Sequence, residues 1–118
     1  MKAISFKTLS ILISCVVASA AWASDEEADD SGFSFDDKLA ACAACHGENG
    51  DKPLAPEYPI LAGQYEDYLV AALKAYRDGR RSNPIMTMQV EILELSDSDI
   101  EKLAAHFSDK PGLTNLSQ

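Results

Sequence analysis

Five consecutive residues, Cys42-Ala43-Ala44-Cys45-His46, hold two of the three cysteines and one of the two histidines in a chain of 118 residues. Whatever fold the chain adopts has to accept both thiols and the imidazole at one place, because the run covers little more than one helical turn. Three chemistries use such a cluster. A redox dithiol of the thioredoxin kind follows a strand in a βαβ setting, and here no run of alternating β-branched residues is long enough for a sheet. Zinc needs four ligands, yet beyond the apolar N-terminal segment that holds Cys15 only His106 remains outside the run, on a separate predicted helix, and the adjacent Cys45 and His46 do not readily face one ion together with Cys42. The third chemistry is covalent haem attachment, in which each thiol adds to a vinyl group and the next histidine binds iron. Two cysteines three residues apart reach both vinyl edges from one turn of chain, which holds the histidine beneath the ring centre. Cys42 and Cys45 are therefore read as the attachment points of one haem c, and His46 as an axial ligand of its iron.

The start of the chain places this chemistry outside the cytoplasm. Lys2 and Lys7 precede an uncharged apolar segment that ends in Ala21-Trp22-Ala23 before Ser24, the layout of a secretory signal and too short for a comfortable membrane span. Residues 1–23 are read as a signal peptide and the protein as periplasmic. Two alternatives are an uncleaved signal anchor and a lipoprotein box at Leu12-Ile13-Ser14-Cys15; the apolar residues that continue after Cys15 argue against the box. Residues 24–37 carry seven acids and no base, whereas 38–118 carry twelve acids and eight bases. Residues 24–34 thus read as an acidic flexible leader, and the absence of a basic patch excludes nucleic acid as a partner.

Within the remaining body, Phe35 to Ala44 suits a short helix that runs into the cysteines. The following GENGDKPLAPEYPILAGQ, with three glycines and three prolines, has to be a loop. Tyr65, Tyr68, Leu69, Ala72, Leu73 and Tyr76 share one helical face, which Gly79 ends. Arg80 to Pro84 reads as a second loop leading into IMTMQVEILEL. Ser96 with Asp99 makes a capping box ahead of a last helix whose apolar stripe is Ile100, Leu103, Ala104 and Phe107, and Pro111-Gly112 closes it. The class is all-α. Helices this short bury more against a porphyrin than against one another, so the haem also serves as core, with Tyr58, Tyr68, Leu69, Leu73, Ile85, Ile92 and Leu103 as candidate walls. Met86, Met88 and His106 are the groups available to the iron's sixth position. A thioether there favours the ferrous state.

Several further marks accompany Cys-x-x-Cys-His: Gly47 and Gly50, Tyr58-Pro59-Ile60-Leu61-Ala62-Gly63-Gln64, Tyr68-Leu69, Tyr76-Arg77-Asp78-Gly79-Arg80-Arg81, and Leu95-Ser96-Asp97 with Asp99-Ile100 before Ala104-Ala105. In these the chain resembles the bacterial class I c-type cytochromes, the small monohaem kind related to tandem di-haem proteins. The resemblance implies a class I cytochrome c fold of three to five short helices over residues 35–109, with a tail at 110–118. It implies Met88 as sixth ligand, eight residues before the serine of Leu-Ser-Asp, with Met86 as the alternative. It also implies that Pro59 offers its carbonyl to His46 and that Arg81 pairs with a propionate, while Tyr68, already a candidate wall, is counted among the haem-binding residues. His106 departs from the tyrosine usual in the family.

The function expected on this basis is single-electron transfer between a donor and an acceptor protein, such as a dehydrogenase and a terminal oxidase, without substrate turnover of its own. The expected molecule is a monomer that meets membranes only through transient docking to partners. The alternative is a haem relay subunit of a larger dehydrogenase, for example a flavin-containing one.

Overall fold

Ser34 begins the first helix by a reciprocal cap: its hydroxyl accepts from the Asp37 amide at 3.2 Å while the Asp37 carboxylate accepts from the Ser34 amide at 3.0 Å. This computed structural model describes residues 32–112. The expected signal segment, the acids from Asp25 to Asp30 and the chain from 113 onward lie outside the described residues. Those described form four helices and no strand: α1 (Phe35–His46), α2 (Glu66–Arg77), α3 (Pro84–Ile92) and α4 (Asp97–Ser108). The fold is all-α.

α4 starts as α1 does. Ser96 and Asp99 bond reciprocally, leaving Ile100, Leu103, Ala104 and Phe107 on one buried face. That stripe, together with Val90, Leu93 and Leu95, makes the core, and Leu69 and Val70 of α2 and Leu39 and Cys42 of α1 pack against it. Burying a Leu, Ile or Phe contributes roughly 1.5–3 kcal/mol each. Lys74 and Arg77 of α2 reach Asp97 at the start of α4, at 3.0 and 2.7 Å. These pairs are partly exposed, which limits them to about 1 kcal/mol or less.

A second tie between elements is buried. Lys38 of α1 has no exposed surface, and its Nζ donates to Asp99 Oδ2 at 2.8 Å. The same oxygen accepts from the Ser96 amide at 2.9 Å and the Ser96 hydroxyl at 2.7 Å. One carboxylate thus caps α4 and neutralises a cation from α1. Burial pushes the Asp99 carboxyl up, but hydrogen bonds from Lys38 and Ser96 outweigh it and hold the group below the usual carboxylate range.

The segment between α1 and α2 lacks regular structure, as its prolines require, yet it is pinned throughout. Leu54 N donates to the Cys45 carbonyl, Leu61 N and Ala62 N both donate to Gly50 O, and Gly63 N donates to Phe107 O of α4. Gly50 has φ 71°, and a Cβ there would meet the Phe107 ring at 2.7 Å. Only glycine lets the loop close this tightly on α4.

Sequence reasoning took Arg80 to Pro84 as loop. The structure begins α3 at Pro84 and makes Asn83 its cap, with Asn83 Oδ1 accepting from Ile85 N at 3.0 Å and Met86 N at 3.1 Å. An asparagine cap followed by proline in the first turn is a helix start. That signal was present in the sequence.

Candidate functional site

His46 closes α1, where the backbone leaves the helix at Gly47 with φ 88°. Its side chain is buried, and Nδ1 lies 2.8 Å from the Pro59 carbonyl oxygen. A carbonyl only accepts, so Nδ1 carries the proton and donates. Nε2 is then the ring nitrogen left with a lone pair, the state a metal ligand needs. Tyr58, the residue before Pro59, meets the imidazole edge-on with ring centroids 6.2 Å apart.

His46 opens into a cavity of about 310 Å³. Cys42 and Cys45 line it from α1, Tyr58, Pro59 and Leu61 from the long loop, and Tyr68, Leu69, Leu73 and Tyr76 from α2. Arg81 and Asn83 contribute from the second loop, Ile85, Met86 and Gln89 from α3, and Leu103, Ala104 and Phe107 from α4. Of the walls expected from sequence, Tyr58, Tyr68, Leu69, Leu73, Ile85 and Leu103 are brought together here. Ile92 is not, and is 55 % exposed.

The two methionines divide in the same way. Met86 lines the cavity and is partly buried, whereas Met88 is absent from its wall and 47 % exposed. Met88, the sixth ligand that the resemblance implies, and Met86, its alternative, thus stand differently to the cavity. Two residues on, a helix has turned by about 200°, so a helix that aims Met86 inward necessarily aims Met88 away. The Asn83 cap marks where this helix starts. His106 also lies off the cavity, its ring packed edge-on against Phe107 at 5.1 Å.

At the cavity's edge the Arg81 guanidinium lies 5.0 Å above the Tyr76 ring. A hydrogen bond with Tyr68 and the neighbouring Tyr76 hold its pKa above the ordinary arginine value. Tyr68 is half exposed, so this edge meets solvent.

The donor set can be tested against a haem. Burial, with Cys45 beside it, pushes the Cys42 thiol up to about 11, so its surroundings disfavour a thiolate. Zinc ligation and thiol–disulfide exchange both require the thiolate, whereas a thioether to a vinyl carbon is neutral and suits an apolar wall. Among the described residues no group of three or more His, Cys, Asp or Glu side chains could hold a metal ion on its own. One apolar cavity with two thiols, one imidazole presenting Nε2 and one thioether fits haem c.

The family model for cytochrome c matches residues 35–109. The chain belongs to the cytochrome c family. This cytochrome carries haem c covalently through Cys42 and Cys45 in a single domain, and it is an electron carrier, with His46 and Met86 on one cavity in an arrangement consistent with His/Met ligation. It is 43 % identical over 76 residues to cytochrome c-554(548) of Halomonas halodenitrificans, covering 64 % of this chain and 90 % of that protein. It is 41 % identical over 73 residues to cytochrome c4 of Pseudomonas aeruginosa, covering 62 % of this chain and 35 % of the relative. A third relative, the thiosulfate dehydrogenase electron acceptor of Thiomonas intermedia, is 38 % identical over 71 residues, covering 60 % and 32 % of the two chains. The cytochrome thus spans most of the first relative and about a third of the other two.

Proposed function

We propose that this cytochrome is a periplasmic monohaem carrier whose iron is held by His46 and Met86. The observation that carries the reading is that Met86, on α3, shares one cavity with a His46 whose Nδ1 is committed to Pro59. Bound haem supplies a one-electron iron couple, which thioether ligation biases towards the ferrous state. The protein's own residues do the rest. Pro59 fixes the tautomer and orientation of His46, Met86 closes the sixth position to small molecules, and Leu69, Leu73 and Leu103 exclude water from the cavity. Arg81, steadied by Tyr68 and Tyr76, presents a cation to a propionate at the exposed edge.

Residues 1–23 act as the export signal in this reading, 24–34 as an acidic leader, 35–109 as the electron-transfer domain and 110–118 as a tail. Among the described residues no helix is long and apolar enough to cross a membrane; in this reading the domain meets membranes through docking to its partners. The Thiomonas relative is named as the electron acceptor of a thiosulfate dehydrogenase, which supports a periplasmic dehydrogenase as donor, with a terminal oxidase as one class of acceptor. The same name favours a second reading, a haem relay fixed to a dehydrogenase. Purification from its host with a stoichiometric partner would select that reading, and purification alone the free carrier.

The ligand assignment is tested by paired substitutions. Met86→Ala should abolish the near-infrared charge-transfer band of thioether-ligated ferric haem, lower the potential and admit carbon monoxide, while Met88→Ala leaves all three close to wild type. The reverse outcome would return the ligand to Met88.

A further inference from the structure

α3 is apolar on more sides than the fold uses. Val90 faces the core and is 3 % exposed, and Met86 and Gln89 face the cavity. Ile85, Met88 and Ile92, spaced i, i+3 and i+7, share a further face and remain 41, 47 and 55 % exposed. Met88 and Ile92 are the two residues that sequence reasoning assigned to the haem pocket and that the pocket leaves out. A helix apolar on both faces is ordinarily covered on both.

The charges around this stripe select what covers it. No charged residue occurs from Pro84 to Val90. Exposed Arg80 and Arg81 precede the N-terminal end of α3, and exposed Glu91 and Glu94 stand at its C-terminal end. When a second copy crosses the first about a two-fold axis with the two α3 helices antiparallel, the stripe meets itself. The basic end of each helix then falls beside the acidic end of the other, an isologous and self-complementary arrangement. A parallel crossing would set arginines against arginines and glutamates against glutamates. Nine residues make a helix of about 13–14 Å, so one crossing brings both ends within reach of the partner. Over most of its surface a chain of formal charge −9 repels its own copy; this uncharged strip is where the repulsion is least.

The geometry points to a homodimer closed through Ile85, Met88 and Ile92 of two antiparallel α3 helices, with Arg80 of one copy across from Glu91 of the other. Arg80 reaches Asp78 in its own chain at 3.1 Å, and on association it shares or exchanges that carboxylate for Glu91. Ile85 belongs to both the stripe and the cavity wall, so the contact sets the two cavity mouths side by side. A single short helix per copy places the interface at the small end of the range, below about 1,200 Å² in total, and the dimer exchanges with monomer as concentration falls. This differs from the monomer expected from sequence.

Sedimentation velocity of the full haem-loaded protein, from micromolar to millimolar concentration, is the test. The expected result is a mass that rises from monomer towards dimer. Ile92→Lys and Met88→Glu should each weaken association by about tenfold or more, the factor that 1.4 kcal/mol represents, with the absorption spectrum unchanged. Arg80→Glu should also weaken it, and Arg80→Glu with Glu91→Arg should restore it. A mass that stays monomeric at every concentration overturns the proposal, as does a dimer indifferent to both stripe variants. A protein that is monomeric alone but binds a purified redox partner through the stripe overturns it in favour of that partner. Failure of the double exchange to restore association, where the stripe variants dissociate the dimer, overturns the antiparallel order.

Discussion

Asp99 is the residue on which most of the architecture leans. Its Oδ2 accepts from Lys38 Nζ and from both the amide and the hydroxyl of Ser96, so removing it uncaps α4 and takes the carboxylate away from a fully buried ammonium. Breaking a buried ion pair from one side costs about 3–5 kcal/mol, against a typical total of about 5–15 kcal/mol. Asp99→Ala should therefore lower the denaturation midpoint severely or prevent accumulation of folded protein, as measured by a denaturant titration of the ferric form. The pH dependence has a definite direction. The folded pKa lies below the unfolded value of about 3.9, so the pair's contribution is complete above roughly pH 5 and is lost as the medium is acidified through about 3.9 and then through the folded pKa. Wild type should lose stability over that acid range, and Asp99→Asn should flatten that part of the profile.

α3 is the element least legible in the sequence and the one whose behaviour is most open to test. Ile85, Met86, Met88, Val90 and Ile92 spread apolar side chains around it, so hydrophobic periodicity carries no phase, and a spacing rule counted from Ser96 selected Met88. The Asn83 cap marks where the helix starts, through bonds of 3.0 and 3.1 Å from Ile85 N and Met86 N. Replacing such a cap with alanine costs about 0.5–2 kcal/mol. Because the capped amides include that of Met86, Asn83→Ala should loosen the sixth position more than the fold. The expected outcome is a modest loss of thermal stability with a clear rise in the rate of carbon monoxide or cyanide binding. Equal effects on both measurements would mean that the cap serves stability alone. The other helices were legible for the opposite reason: Leu69 and Leu73, or Ile100, Leu103 and Phe107, lie on one face against polar neighbours, and Ser96 with Asp99 marks a start without ambiguity.

The four helices enclose a cavity of about 310 Å³, and walls of Leu69, Leu73, Leu103 and Phe107 do not stay apart without something between them. Removal of the haem by cleaving its thioethers with a thiophilic metal salt, or Cys42→Ala with Cys45→Ala, should leave a chain with little helical circular dichroism at neutral pH. A helical, cooperatively melting haem-free protein would show that the core is sufficient without it. The cofactor was readable because its chemistry is concentrated in five adjacent residues. The Lys38–Asp99 pair was not, because its members are 61 residues apart and nothing local to either predicts the other. That separation also bears on the order of assembly. A chain that emerges from its N-terminus presents Cys42 and Cys45 before the segment bearing Asp99 has arrived, and the long loop between them has to close before the ion pair forms. Until α4 arrives, the cysteines lack the wall that Leu103, Ala104 and Phe107 supply.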